Sequence, residues 1–144
     1  MTIRRMDHAT VVVDDLDSAV AFFVELGMEL EGTASVEGPS VDRLSGLDGV
    51  RADIAMVRTP DGHSRLELTK YRAPAAVGGS REAVNTLGLR QVMFLVDDVD
   101  ATVERLRAHG GELVGEVARF EPSYRLGYVR GPAEIIVALA EEIG

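Results

Sequence analysis

An imidazole at His8, a carboxylate at Glu67 set between Leu66 and Leu68, and the aromatic and basic cluster of "FEPSYRLGYVR" are the side chains of this sequence best able to do chemistry. Histidine and glutamate are residue types that move protons or ligate divalent cations at neutral pH. Phe120, Tyr124 and Tyr128, with Arg125 among them, concentrate aromatic surface in a chain with only 5% aromatic residues. Such a wall with polar tips suits a planar or apolar small molecule, and the same rings could equally serve as core or interface packing. Arg65 could pair with Glu67 or hold a substrate carboxylate. With no cysteine, disulfides, thiolate metal sites and a cysteine nucleophile are excluded.

Other groups invite a chemical reading that their setting removes. "VDDLD" and "VDDVD" concentrate carboxylates, but both stand at helix starts, where Asp15 and Asp98 cap free N–H groups at the positive end of the helix dipole. His109 precedes the helix-stopping Gly110, and His63 lies in the "TPDGH" turn, where a surface position is expected.

The elements that must position His8 and Glu67 follow from the patterning. "HATVVV" is a β-branched strand leading into a helix in "DDLDSAVAFFVELG", with Leu16, Val20, Phe23 and Leu26 on one face. Three strands follow in "MELEGTASVE", "RADIAMVRTP" and "HSRLELTKY", with a short helical turn in "PSVDRLSGLDG". The order then repeats: strand "RQVMFLV", helix "VDATVERLRAHG", and strands near "GELVGEVARF", "YRLGYVR" and "EIIVALAE". The architecture is βαβββ twice, an α+β domain spanning 1–144, with module one about 1–72, a linker about 73–87 and module two about 88–144.

The repeat is visible residue by residue. Laying residue 8 on residue 91, an offset of 83, aligns 8–30 with 91–113 without a gap and with 8 identities in 23 positions. Side chains alternate across a strand, so His8 shares a face with Thr10 and Val12, and Glu67 shares one with Arg65 and Thr69. The offset sets Gln91 at the position of His8, with Met93 and Leu95 beside it. Counting from Pro132 sets Ala138 at the position of Glu67, with one residue inserted in the first copy.

Composition limits the partners. The formal charge of −9, from 24 acidic and 15 basic residues, disfavours nucleic acid and anionic membrane surfaces and favours a small molecule. No apolar run is long enough to span a bilayer, and a cytoplasmic location is expected.

Paired βαβββ modules, with a His at the first strand and a Glu at the fourth, resemble the vicinal oxygen chelate superfamily, which includes glyoxalase I, extradiol dioxygenases and bleomycin-resistance proteins. The motifs that carry the resemblance are "DHATVVVDDLDSAVAFF", "TPDGHSRLELTKY", "LGLRQVMFLVDDVDATVERL" and "GPAEIIVALAE". It implies a half-barrel of the two modules around a cleft, and a homodimer. It also implies a divalent metal (Mn, Ni, Zn or Fe) whose ligands fall on His8, Glu67 and Gln91, with Glu67 as the catalytic carboxylate. Ala138 cannot coordinate, so the ligand set is reduced and a conventional glyoxalase I reaction is disfavoured. An Fe(II) dioxygenase would lack one of its two histidines. The expectation is a small-molecule enzyme of lyase, isomerase or dioxygenase type that chelates adjacent substrate oxygens. The alternative is a metal-free binding or resistance protein of the bleomycin-resistance type.

Overall fold

A computed structural model describes residues 2–144. The chain forms two compact units, the first ending at Gly78 and the second running from Gly79 to Gly144. In the first, β1 (Ala9–Val12) leads to helix α1 (Leu16–Leu26), followed by β2 (Glu29–Glu37), the short helix α2 (Pro39–Ser45), β3 (Arg51–Arg58) and β4 (Arg65–Ala73). The sheet order is β1-β4-β3-β2, with β1 and β4 parallel and the other neighbours antiparallel.

The helix starts and stops where its ends are chemically satisfied. Asp15 accepts a hydrogen bond from the Ser18 N–H at 3.0 Å. Gly27, at φ 124°, donates its N–H to the carbonyls of Phe23 and Val24, a conformation that glycine adopts without Cβ strain. The buried stripe of α1 is Ala19, Phe22, Phe23 and Leu26. Phe23 and Leu26 of the expected face are in this stripe, while Leu16 and Val20, expected on the same face, are half-buried at its border. The reason is the pair Phe22–Phe23, which packs edge to face with ring centroids 5.2 Å apart and turns the helix so that both rings go inward. The helix packs on β3 and β4, whose Ala55, Val57, Leu66 and Leu68 are buried.

The second unit repeats the plan with β5 (Gln91–Leu95), α3 (Val99–Arg107), β6 (Glu112–Leu113), β7 (Ala118–Phe120), β8 (Tyr124–Arg130) and β9 (Ile136–Glu142). Its order is β5-β9-β8-β6, with β7 also on β8 and β5–β9 parallel. Asp98 caps α3 by accepting from the Ala101 N–H at 3.0 Å, and Val99, Val103 and Leu106 are buried against β8 and β9. The strand expected in "GELVGEVARF" is two short strands. Between them Val117 folds over Gly127, where a Cβ would lie 3.2 Å from Val117 Cγ2 and 3.4 Å from Val99 Cγ1.

The connector is tied to the second unit over part of its length. Arg81 meets Glu134 at 2.8 Å and Glu112 at 3.1 Å, and the Glu82 carbonyl accepts from the Arg130 guanidinium. Among the described residues no helix is long and apolar enough to cross a membrane.

Phe23 is fully buried, so Phe23→Ala is expected to destabilise the fold by about 3–5 kcal/mol. A urea midpoint that falls with an unchanged slope would show it; an unmoved midpoint would contradict this packing.

Candidate functional site

His8 immediately precedes β1, and Glu67 lies in β4 between the buried Leu66 and Leu68. The parallel register pairs Ala9 with Leu66 and Thr10 with Glu67, so alternation sends Leu66 and Leu68 towards α1 and Glu67 to the helix-free face. The two functional groups thereby meet: His8 Nε2 lies 3.1 Å from Glu67 Oε2. Both side chains are part-buried, at 29% and 20% exposure, which limits solvent screening of the pair without removing access.

Each partner is held from behind. Asp7 Oδ2 is 2.7 Å from His8 Nδ1, and the buried Thr69 donates its hydroxyl to Glu67 Oε1 at 2.9 Å. The hydrogen bond from His8, assisted by Arg65 and Arg5, holds the Asp7 carboxyl below its ordinary range. Asp7 was missed because it neighbours His8 in sequence, where adjacent residues of a regular strand face opposite ways. It precedes β1, so alternation does not govern it. Arg65 does not pair with Glu67: its guanidinium meets Glu31 at 2.7 Å and Asp7 at 3.4 Å. That leaves it holding the carboxylate that orients His8.

In the second unit, Met93 pairs with Ala138 and Tyr128 pairs with Ala138 from the other side. Since Met93 is the repeat partner of Thr10, the register places Ala138 at the position of Glu67. Ala138 is fully buried. Gln91 and Tyr128 line one pocket. Tyr124 lies on the same face of β8 as Tyr128, opposite Phe120 of β7, and Phe120 is 47% exposed. Arg125 occupies the opposite, helix-covered face and meets Asp100 of α3 at 2.7 Å, which raises its pKa. The stretch "FEPSYRLGYVR" therefore divides between two faces of the sheet. His63 and His109 are exposed, the former in its turn.

Among the described residues no three His, Cys, Asp or Glu side chains group as a metal-binding cluster. The first unit offers two donors, His8 Nε2 and Glu67 Oε2. Their 3.1 Å separation is close to that of neighbouring ligands around an octahedral cation with bonds of about 2.1 Å. In the neutral tautomer that donates Nδ1–H to Asp7, a cation would take the Nε2 lone pair in place of the direct contact between Nε2 and Glu67, the arrangement that commonly orients ligating histidines. The pair therefore fits part of a coordination shell.

The chain matches the Glyoxalase/Bleomycin resistance protein/Dioxygenase superfamily over residues 5–139, and it belongs to that family. A glyoxalase family protein from Bacillus cereus is 48% identical, with a TM-score of 0.94 over 100% of this chain and 97% of that one. A glyoxalase I mutant from Zea mays, 20% identical, matches with a TM-score of 0.69 over 97% of this chain and 46% of that one. An antibiotic-binding protein from a Streptomyces species, 23% identical, matches with a TM-score of 0.62 over 99% of each chain. These last two are likenesses of fold. No curated protein sequence matches the chain.

Ala138→Glu would bury a carboxylate at a position with no exposure. Burial raises the folded-state pKa above the unfolded one, so the ionisation part of the penalty is largest above the folded pKa and disappears below the unfolded pKa, leaving only the overpacking cost of the longer side chain. A loss on the order of 4 kcal/mol at pH 7, shrinking towards pH 4, is expected in urea titrations. A pH-independent loss would refute the buried placement.

Proposed function

We propose that this protein is a small-molecule enzyme of the superfamily in which His8 Nε2 and Glu67 Oε2 hold a divalent cation, with Glu67 also the carboxylate that moves a proton. The observation that carries this reading is the 3.1 Å approach of the two atoms, with Asp7 on the far nitrogen of His8. A cation bound there would act as a Lewis acid on adjacent oxygens of a substrate. Asp7 fixes the imidazole orientation, Arg65, itself held by Glu31, steadies Asp7, and Thr69 restrains one oxygen of Glu67 so that the other faces His8. One histidine suits isomerase or lyase chemistry better than Fe(II) dioxygenation, which draws on two. The homodimer implied by the resemblance belongs to this reading, and light scattering on the purified protein would give the mass of two chains.

A metal-free binding role is the second reading. It is favoured by Ala138, which occupies the register position of a ligand and cannot coordinate. The fold likeness to an antibiotic-binding protein is in keeping with it.

The two separate on metal content. Protein purified without chelator or affinity tag is expected to carry a stoichiometric divalent metal, or to take one up on adding Mn²⁺, Ni²⁺, Zn²⁺ or Fe²⁺, and the His8→Ala/Glu67→Ala double variant is expected to lose it. Near-zero metal in both, with no uptake, would sink the enzyme reading. Asp7→Asn is expected to weaken metal affinity about 10–100-fold, measured by competition with a chromophoric chelator. Unchanged affinity would remove Asp7 from the site.

A further inference from the structure

Most arginines of this acidic chain are either matched with a carboxylate or left in water. Arg58, Arg65, Arg72, Arg81, Arg107 and Arg125 each meet an Asp or Glu, while Arg4, Arg51 and Arg119 are exposed. Arg130 is buried with its guanidinium on the backbone carbonyls of Glu82 and Glu134. Arg90 has none of these settings: it is half-buried, its Nε, like that of Arg65, is shut off from solvent with no hydrogen-bond partner, and, unlike Arg65, it meets no carboxylate among the described residues. A buried guanidinium N–H without an acceptor is a cost that a folded protein rarely leaves standing.

The surroundings of Arg90 form a site rather than a packing defect. It lines a pocket of about 380 Å³ together with Val84, Leu89, Gln91, Tyr128 and Ile136. The guanidinium lies against Gly88, where a Cβ would be 3.2 Å from Nη2 and where φ is 113°. Glycine thus leaves the room that the fork occupies. Gln91 and Tyr128 bring an amide and a hydroxyl to the same pocket, both able to donate hydrogen bonds. Val84 and Leu89 are 45% and 73% exposed and Ile136 is buried, so apolar side chains flank the polar groups of the pocket. One uncompensated positive charge, planar hydrogen-bond donors and an apolar rim match a singly charged, planar oxyanion on an apolar body.

We propose that the Arg90 pocket binds the carboxylate of a small organic acid, with Arg90 as the fork, Gln91 and Tyr128 as flanking donors, and Val84 and Leu89 against the apolar part of the ligand. A single guanidinium balances a carboxylate and leaves a phosphate monoester dianion under-compensated in a chain of net charge −9. The site lies wholly within the second unit and stands whatever the metal content of the protein.

Phenylacetate is a suitable probe, with phenylacetamide as its neutral analogue and phenyl phosphate as the competing anion. Each is titrated into ¹⁵N-labelled protein while the Arg90 Nε–H and the Gln91 side-chain amide are followed by NMR. Phenylacetate is expected to shift both resonances saturably in the millimolar range. Phenylacetamide should leave them in place, and phenyl phosphate should bind more weakly. Arg90→Gln is expected to weaken phenylacetate about 10–100-fold, read at Gln91. Arg90→Lys, which keeps the charge without the fork, should fall between. Absence of saturation with phenylacetate, an equal response to phenylacetamide, or undiminished binding by Arg90→Gln would overturn the proposal. Tighter binding of phenyl phosphate would overturn the carboxylate assignment.

Discussion

The parallel pairing of the first and last strand of each unit is the constraint on which the rest depends. In the first unit it joins β1 to β4 with Thr10 opposite Glu67, and this one registration decides three things together. It closes Leu66 and Leu68 under α1, turns Glu67 to the helix-free face, and brings its carboxylate to the imidazole that precedes β1. A slip of one residue would exchange the faces, placing Glu67 in the core and Leu66 or Leu68 in the site. Burying a carboxylate among Phe22, Phe23 and Val57 costs far more than any alternative pairing could return, so the core enforces the geometry of the site.

Within that shared plan the two helix-free faces have taken different chemistry. In the first unit the groups around His8 are charged and mutually compensated, with Asp7 between His8 and Arg65, and Arg65 shared with Glu31. In the second unit the equivalent strands present Met93, Leu95, Ala138 and Tyr128, and the charged group beside them, Arg90, has no counter-ion among the described residues. A repeat does not require its copies to share a function, because the fold is set by the helix-covered faces, where Val13 and Val96, Val20 and Val103, and the capping aspartates coincide.

What could be read from the sequence follows the same division. The strand and helix order, the two aspartate caps and the equivalence of Glu67 with Ala138 were legible because they rest on periodicity and on an ungapped repeat. The meeting of His8 with Glu67 was expected from a resemblance rather than from spacing, since 59 positions separate them. Asp7 and Glu31 around them were not anticipated, whereas alternation had already put Thr69 on the face of Glu67. Glu31 lies where the β2–β3 register shifts between Leu30 and Gly32, and such a bulge re-aims a side chain in a way that alternation cannot foresee. The turn of α1 towards Phe22 was hidden because two adjacent phenylalanines leave the helical phase ambiguous. Arg90 passed unnoticed because an arginine before a strand looks like any other solvated charge. Its lack of a partner is a property of three-dimensional surroundings alone.

The contrast between Arg65 and Arg90 shows how one residue type can serve opposite ends. Arg65 spends its fork on Asp7 and Glu31, so it has little positive field left to offer a ligand and acts instead on the orientation of His8. Arg90 keeps its fork uncommitted beside an apolar rim, where low local dielectric strengthens whatever anion it meets. With nine more negative than positive side chains in the chain, a free anion is repelled at long range, and salt shortens the reach of that repulsion to about 10 Å. Recognition of an acid by such a protein must therefore be a contact property of a prepared cation. Arg90, half-buried with neither a carboxylate nor a backbone carbonyl on its guanidinium among the described residues, is where that condition is met.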